Sequence, residues 1–465
     1  MSKVADGMKQ YGTSRAVKAI LALLPHLSDA NIIRLTRLAE KIVANPAQKE
    51  RVRIVREKFE SGHPSMELAR RLASRLSPAS REKFARNLFV SGMFLGTRRR
   101  NEIYAAEGWK PPFFFVISPT MACNLKCVGC YAGEYAKKDV LTTEEIDRLF
   151  TQGKELGIYF VTVSGGEPFI RKDLLDLWKK HDDMYFLVYT NGLLIDDEKA
   201  ELLGNLGNVA PAVSVEGFEE HTDFRRGPGV FKELQKVWKR LRENGVLFGF
   251  SATATRENTE IIYSDRFIDF MIEQGALFGW YFQYIPIGKG PDTQLMATPK
   301  QRDWARERLK EIRATKPIVL ADFWNDGHLA GGCIAGGRVY FHINVNGDVE
   351  PCVFVHFATD NIKNTPLKDA LQSKLFRIIR ENQPYSRNLM CPCMIIDNPS
   401  VLRSIVKQAG ARATHPGAET IIGELAPFLD EYAQQLHSLW DPVWQREFAC
   451  GKNLRGIDTE VAKKL

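Results

Sequence analysis

The chain has 465 residues, of which 44% are hydrophobic and 26% are charged, and this is the composition of an ordinary globular protein. A chain of this length can bury a large core and is long enough for two or three domains. No apolar stretch approaches the roughly 20 residues that span a bilayer, and no secretory signal is apparent at the N-terminus. The sequence therefore favours a cytoplasmic protein whose eight cysteines stay reduced and available to metals.

Residues 1–110 are predicted to form a basic helical module. They contain 22 Lys and Arg against 10 Asp and Glu, a net charge of +12, whereas the rest of the chain has a net charge of −4. Ser28 can cap a helix with apolar residues at helical spacing, and Ser80 can cap another that continues through Leu95. Similar apolar patterns recur at 15–24 and 65–76.

The end of this module combines the apolar run Leu88–Leu95 with Arg98, Arg99 and Arg100. One interpretation is a helical cap that packs on the rest of the protein and exposes a solvated basic face. The other is a surface for an anionic membrane or a phosphate-bearing substrate, since basic amphipathic helices favour both. Nucleic acid is disfavoured, because no base-reading motif accompanies the charge.

From Phe113 onward, short apolar strands alternate with amphipathic helices. This alternation predicts a parallel sheet with both faces covered, in a barrel or an open sheet. The predicted strands are 113–118, 158–163, 185–189, 209–215, 247–255 and 278–285. The predicted helices are 143–156, 173–180, 197–206, 231–244, 260–273 and 300–314.

Three cysteines follow the first predicted strand, Cys123, Cys127 and Cys130, in a C-x3-C-x2-C spacing. Three thiolates on a short loop can hold three irons of a cubane cluster and leave the fourth iron without a protein ligand. Three cysteines within eight residues cannot all pair as disulfides, and structural zinc would need a fourth ligand that no nearby residue supplies. Together with Tyr131, the spacing resembles the signature of radical S-adenosylmethionine (SAM) enzymes.

Later segments agree with this resemblance in their order along the chain. Ser164–Pro168 matches the GGEP motif of the family, 190–192 matches its TNG turn, and 214–227 resembles its strand-four serine and D-x-x-R-G segment. Residues 284–288 are similar to the stretch that contacts adenine. The resemblance implies that SAM is bound by Tyr131, Gly165, Gly166, Glu167, Asn191, Ser214 and Arg226. A surface ion pair remains the alternative role for Arg226.

The segment 331–393 contains four more cysteines. Cys333 precedes a predicted strand, Asn346-Gly347 predicts a hairpin turn, and Cys352, Cys391 and Cys393 follow. This arrangement resembles the SPASM or "twitch" extension of many radical SAM enzymes, although the usual C-x2-C-x5-C run is absent. It implies one auxiliary [4Fe-4S] cluster at Cys333, Cys352, Cys391 and Cys393; zinc or unligated core cysteines are the alternatives. Cys450 is expected to pack in a core.

The resemblance implies an α/β fold, a partial (β/α)6 TIM-like barrel with an N-terminal helical module and a small α+β C-terminal extension. The predicted domains are 1–110, 111–300, 315–400 and a helical tail at 401–465. The implied function is reductive cleavage of SAM, at a [4Fe-4S] cluster with an open iron, to a 5′-deoxyadenosyl radical that abstracts a substrate hydrogen.

The substrate is not fixed by fold or cofactor. The basic module and its apolar run favour a hydrophobic lipid chain, with peripheral contact to the inner face of a membrane as an option. The first alternative is a peptide- or protein-modifying maturase, and the second is a non-catalytic iron–sulfur or zinc scaffold. An electron donor is also implied, either a reductase, a ferredoxin or a flavodoxin.

Overall fold

The computed structural model describes residues 28–42, 46–132 and 140–448. Nine strands form one sheet in the order 7-6-5-4-3-2-1-8-9, in which every neighbouring pair is parallel except the last. The strands are β1 Phe114–Ile117, β2 Phe160–Val163, β3 Tyr185–Thr190, β4 Val209–Ser214, β5 Gly249–Ala254, β6 Phe278–Gln283, β7 Val319–Asp322, β8 His342–Ile343 and β9 Val349–Glu350. A second sheet pairs β10 Phe357–Ala358 with β11 Arg412–Ala413.

Helices precede the sheet, connect its parallel strands and follow it. Those before β1 are α1 Asp29–Ile42, α2 Pro46–Glu60, α3 Ser65–Arg75, α4 Pro78–Lys83, a π-helix Phe84–Leu95 and α5 Gly96–Glu107. Between strands lie α6 Thr143–Glu155, α7 Asp173–Lys180, α8 Asp197–Leu206, α9 Glu219–Arg226, α10 Val230–Glu243, α11 Thr259–Ile262, α12 Asp265–Gln274 and α13 Pro299–Thr315. The later helices are α14 Gly327–Ala330, α15 Leu367–Ala370, α16 Lys374–Asn382, α17 Pro399–Ala409 and α18 Ala426–Glu447.

The predicted α/β partial barrel is confirmed. Each of the six predicted strands is present and ends within two residues of its predicted limits. Two further strands enlarge the parallel sheet: β7 was not predicted, and β8 pairs in parallel with β1 through Val116–His342 and Ile117–Ile343. The predicted hairpin at Asn346-Gly347 joins β8 and β9, and Gly347 has the positive φ of 90° that its turn requires.

The two faces of the sheet differ in what they contact. Side chains alternate along a strand, and Phe115 and Ile117 face the large core under the helices, whereas Phe114 and Val116 belong to a separate apolar cluster on the inner face. At the carboxyl ends of the strands this inner face becomes polar, with hydroxyls at Ser118, Thr162, Ser164, Ser214 and Ser251. Barrel enzymes have their chemistry at this end.

The N-terminal helices cover the opposite end of the inner face. Leu68, Leu72 and Leu76 pack with Tyr185 and Leu187 of β3 in one apolar cluster. The Phe84 ring also meets the Tyr185 ring edge-on, with centroids 6.0 Å apart. The described part of the module therefore packs on the barrel, as the first interpretation expects, while Phe89, Met93 and Phe94 of the apolar run are exposed and the second interpretation stays a prediction.

Two details of the module differ from the sequence analysis. Ser77, not Ser80, caps α4, because the Ser77 hydroxyl accepts the Ser80 backbone N–H at 3.0 Å. Arg100 is not a surface residue: it is 4% exposed and donates to the carbonyl of Gly157 at 2.5 Å, with its guanidinium 5.2 Å from the centre of the Phe113 ring. Burial lowers the pKa of Arg100 to about 10.

Some predictions concern residues outside the described ranges. The apolar pattern at 15–24 and Cys450 both lie there. Among the described helices, none combines the length and the apolar character that crossing a membrane requires.

Candidate functional site

The cysteine loop leaves β1 at the polar end of the inner face. Cys123 is exposed, and Cys127 and Cys130 are partly buried, each with a free thiol. Burial raises the pKa of Cys123 and of Cys127, and the nearby Arg226 guanidinium opposes this shift for Cys127. The Arg226 cation favours the thiolate form of Cys127, and the thiolate is the form in which a cysteine binds a metal.

Three other loops hold the backbone of the cysteine loop. Gly166 and Glu167 donate their N–H groups to the carbonyls of Thr120 and Ala122, both at 2.8 Å. Val128 donates to the carbonyl of Arg225 at 2.9 Å, and Lys289 donates to that of Cys130 at 3.1 Å. The predicted motif segments after β2, β4 and β6 are thus brought to one place, around the cysteines.

Glycines are required where the segment after β2 meets this loop. A Cβ on Gly165, whose φ is 107°, would be 2.4 Å from the carbonyl oxygen of Thr120, and one on Gly166 would be 2.2 Å from that of Ala122. Next to them, the Tyr131 and Ser164 hydroxyls are 2.6 Å apart, and burial raises the pKa of Tyr131 to about 12. The predicted residues Tyr131, Gly165 and Gly166 are therefore adjacent in space.

The Glu167 carboxylate is fully buried and faces the protein backbone. Its oxygens accept from Phe169 N–H at 3.1 Å, from the Thr190 hydroxyl at 2.8 Å and from Asn191 N–H at 2.7 Å. Burial raises the pKa of Glu167, and these three hydrogen bonds oppose the shift. Asn191 in turn donates through Nδ2 to Asn124 at 2.7 Å and lies 3.7 Å from Cys123 Sγ. Glu167 thus fixes the turn that presents Asn191 to the cysteine loop.

A buried carboxylate and two arginines lie on the other side of the loop. The Glu216 side chain is 1% exposed and accepts from Arg225 Nη1 and Arg226 Nη2, both at 2.6 Å. Burial alone would lower the pKa of Arg226, but the Glu216 charge reverses this and the pKa is raised. The Ser214 hydroxyl lies 3.1 Å from that of Ser251. Arg226 thus lies beside Cys127 of the cysteine loop, while the SAM contacts of Ser214 and Arg226 stay a prediction.

Sequence reasoning did not single out Glu216, Arg225 or Ser251. A signal for the first two was present, namely a carboxylate just after a strand and two adjacent arginines nine and ten residues later. A second missed group is buried beside the end of β1. The Ser118 hydroxyl is 2.8 Å from His342 Nε2, and His342 Nδ1 is 2.6 Å from the Glu350 carboxylate.

The four C-terminal cysteines do not all face one place. Burial raises the pKa of Cys333, Cys352 and Cys393 to about 12. These three belong to the inner-face cluster, and the Tyr340 hydroxyl is 3.0 Å from Cys352 Sγ. Cys391 packs in a different cluster, with Trp440 and other residues of α18. The expected set of four is therefore corrected to three that lie together and one that lies apart.

Comparison with known proteins identifies two regions of the chain. Residues 117–260 match the sequence model of the radical SAM superfamily, and residues 333–394 match that of the SPASM iron–sulfur cluster-binding domain. Both matches fall inside predicted domains, although the domain boundaries themselves remain a prediction.

Two enzymes and one solved structure illustrate what the chain is similar to. An AdoMet-dependent heme synthase of Nitratidesulfovibrio vulgaris is 25% identical over 309 residues, which cover 57% of this chain and 81% of that protein. The mycofactocin maturase MftC of Mycobacterium tuberculosis is 29% identical over 302 residues, covering 60% and 75%. The crystal structure of Streptococcus suis SuiB bound to its precursor peptide SuiA shares the fold, with a TM-score of 0.53, 18% identity, and coverage of 74% and 84%.

The radical SAM domain binds a [4Fe-4S] cluster and SAM, and the SPASM domain binds auxiliary iron–sulfur clusters. The residues described above fit these groups. The free thiols of the cysteine loop can bind iron, the backbone at 165–166 allows a ligand to approach closely, and Arg226 offers a positive charge beside them. The chain is a radical SAM enzyme of the SPASM type.

Proposed function

We propose that this enzyme modifies a peptide or protein substrate. The observation that carries the proposal is the match to a maturase, MftC, which runs over 75% of that protein and 60% of this chain. The shared fold with SuiB is consistent with it but, at 18% identity, supports the architecture alone.

The three similar proteins give no support to the predicted lipid substrate, because none of them is named for a lipid. Its structural basis is also weaker than the sequence suggested. Arg100 is buried, Arg98 pairs with Glu102 at 3.1 Å, and Arg99 donates to the carbonyl of Glu155 at 3.0 Å. The peptide alternative is therefore preferred.

We assign the three loop cysteines, Cys123, Cys127 and Cys130, as ligands of the catalytic cluster. When bound, the cluster and SAM together supply the radical that removes a hydrogen atom from the substrate, and the protein supplies ligation, orientation and exclusion of water. The glycine backbone at 165–166 allows close approach of SAM, and Arg226 offers charge-assisted hydrogen bonds to its carboxylate. Tyr131, Ser214 and Asn191 supply further polar groups around it.

The role of Glu167 changes from a direct contact to positioning. Its carboxylate already accepts three hydrogen bonds from Phe169, Thr190 and Asn191. We propose that it holds the Asn191 turn against the cluster loop. For the auxiliary cluster we propose Cys333, Cys352 and Cys393 as ligands, with a reductase, ferredoxin or flavodoxin as the electron donor.

A second candidate substrate is an iron porphyrin, because the heme synthase relative is matched over 81% of its length. The two candidates differ in chemistry that can be measured directly. An iron porphyrin has an intense visible absorption band that shifts on binding, whereas a modified peptide changes its mass.

The first experiment tests the enzyme class. The anaerobically reconstituted, reduced protein should form 5′-deoxyadenosine from SAM. Changing Cys123, Cys127 and Cys130 together to Ala should remove about four irons and abolish product formation. Retained cleavage in this variant contradicts the cluster assignment.

The second experiment tests the substrate class. The enzyme is incubated with SAM, reductant and the small-peptide fraction of its source cells, and in parallel with iron coproporphyrin III, an iron porphyrin for which another similar protein is named. A peptide mass change that requires SAM and is absent with the triple variant supports the proposal. Binding and conversion of iron coproporphyrin III, with no peptide change, would favour the porphyrin candidate instead.

A further inference from the structure

Cys391 is the cysteine of the C-terminal region that the auxiliary set does not include. It is 1% exposed and packs with Leu436, Trp440 and Trp444 of α18 in a cluster separate from that of Cys333, Cys352 and Cys393. Its thiol therefore faces the C-terminal helix and not the inner face of the barrel.

Two potential metal ligands on that helix face the thiol. His437 and Asp441 are four residues apart on α18 and so lie on one face of it. The Cys391 sulfur, a His437 ring nitrogen and an Asp441 carboxylate oxygen all lie within 4.8 Å of one another. Among the residues that the structure describes, this is the one group of three Cys, His, Asp or Glu side chains that meets this distance.

Hydrogen-bond counting around His437 also points to a cation. His437 Nδ1 is 3.0 Å from Asp441 Oδ1 and 3.2 Å from its Oδ2, and Nε2 is 3.2 Å from the carbonyl oxygen of Asp397. Both ring nitrogens thus face acceptors, whereas a neutral imidazole has a single N–H to donate. A doubly protonated imidazolium satisfies both contacts, and so does a metal ion at Nδ1, because Nε2 then donates its N–H to the Asp397 carbonyl.

The surroundings match those of known metal sites. A metal-bound histidine nearly always donates its other N–H to a carbonyl or carboxylate, and a ligating carboxylate is itself hydrogen-bonded. Here the Asn388 amide donates to Asp441 Oδ1 at 2.7 Å. Asp441 and His437 are partly exposed, so water can complete the coordination on the solvent side.

We propose that Cys391, His437 and Asp441 bind one Zn²⁺ ion, with water as the fourth ligand. Sulfur, imidazole and carboxylate donors in a four-coordinate arrangement are typical of zinc. The ion ties α18 to the segment that ends at Cys393, two residues beyond Cys391, and so stabilises the position of an auxiliary-cluster ligand. The proposal is independent of the substrate and of the catalytic cluster.

The test uses the full-length, cluster-reconstituted protein after exposure to Zn²⁺ and removal of loosely bound metal. Zinc and iron are counted per chain, and zinc K-edge X-ray absorption reports the ligands. Wild type should retain about one zinc, with one sulfur near 2.3 Å and nitrogen or oxygen near 2.0–2.2 Å. His437→Gln and Asp441→Asn should each weaken zinc binding by at least about 10- to 100-fold, the loss that even an outer partner causes. Their iron content should not change.

A matched control removes a different carboxylate from the same helix. Glu431 contacts Gln435 on the exposed surface, and Glu431→Gln should retain zinc. Absence of retained zinc in wild type, or equal zinc in all variants, overturns the proposal and leaves an ion pair of His437 with Asp441. Loss of iron but not zinc in Cys391→Ser also overturns it, since Cys391 would then be a cluster ligand.

Discussion

Glu216 determines the net charge of the group that it forms with Arg225 and Arg226 beside the cysteine loop. A carboxylate with 1% of its side chain exposed needs compensation, and two guanidinium groups provide it at 2.6 Å. One negative and two positive charges leave this group with a net charge of +1 beside the cysteine loop. That surplus favours an anion, such as the carboxylate of SAM, and Glu216 fixes the orientation of Arg226 before the ligand arrives.

Arg226→Ala should therefore weaken SAM binding while the iron content stays at the wild-type level. Loss of a hydrogen bond to a charged group costs about 1.5–3 kcal/mol, or roughly 10- to 150-fold in affinity. Equilibrium binding of SAM to the reconstituted protein measures this. Arg240→Ala is the control, because Arg240 pairs with Asp197 on the outer helices. Unchanged SAM affinity in Arg226→Ala would contradict the role assigned to Arg226.

The auxiliary thiols give a prediction on pH. The pKa of Cys333, Cys352 and Cys393 is raised to about 12 in the metal-free protein, so all three are protonated at neutral pH. Each must lose its proton to bind iron, and the apparent affinity therefore rises with pH by up to tenfold per unit for each thiol. Iron binding by the apo form of the variant in which Cys123, Cys127 and Cys130 are Ala, which leaves only the auxiliary site, should become markedly tighter between pH 7 and 8.5. Loading that is independent of pH would show that these thiols are not the ligands.

At the scale of elements, the site is a junction of loops around one short segment. The segments after β2, β4 and β6 each form a backbone hydrogen bond with the cysteine loop, and the contact with the β2 segment is the closest. Because Gly166 has no space for a side chain, this contact is sensitive to a single methyl group.

Gly166→Ala should displace the cysteine loop, because the added Cβ would be 2.2 Å from the carbonyl oxygen of Ala122. Overpacking of this kind costs about 1–3 kcal/mol. We expect a lower denaturation midpoint and reduced iron retention after reconstitution. Gly92→Ala is the matched control, since its Cβ would have its nearest neighbour at 3.4 Å. Full iron retention in Gly166→Ala would mean that the loop does not depend on this contact.

The sequence predicted these loops well because their signals are local. The cysteine spacing, the Gly-Gly turn and the alternation of strands and helices are each visible within a few residues. Pairing of β8 with β1 is not local, since the partners Val116 and His342 are 226 residues apart and the intervening chain forms most of the barrel. The sequence also could not predict that Cys391 packs against α18 and Cys393 in the inner-face cluster, because the spacing of two nearby cysteines does not indicate which element each side chain will contact.

Local sequence also could not predict which of the three consecutive arginines is buried. Arg98, Arg99 and Arg100 are equivalent in sequence, yet only the last is buried, where it reaches the carbonyl of Gly157; Arg99 contacts Glu155 from the exposed surface. Which of three neighbours is buried depends on the docking of the whole module.

At the scale of the whole molecule, one mutation can test how the N-terminal helices pack on the barrel. Arg100→Gln should destabilise the protein by about 1–3 kcal/mol, because the carbonyl of Gly157 loses its buried donor. The double variant Arg98→Gln, Arg99→Gln should stay within about 0.5 kcal/mol of wild type, as surface changes usually do. Denaturant unfolding measures both. Equal destabilisation of the two variants would contradict the burial of Arg100.

The same variants address membrane contact. If Arg98 and Arg99 approach an anionic surface, each contributes about 1 kcal/mol, and the double variant should bind anionic vesicles less tightly at low salt. Vesicle binding that is undetectable in wild type would leave the two arginines as ordinary solvated residues.

The N-terminal cap also constrains how a large substrate can reach the reactive centre. Leucines of α3 and of the residue after it cover one end of the inner face, the end opposite the cysteine loop. A peptide substrate, as proposed above, would therefore approach the cysteine loop from the carboxyl ends of the strands or past an open edge of the sheet, and not through the capped end.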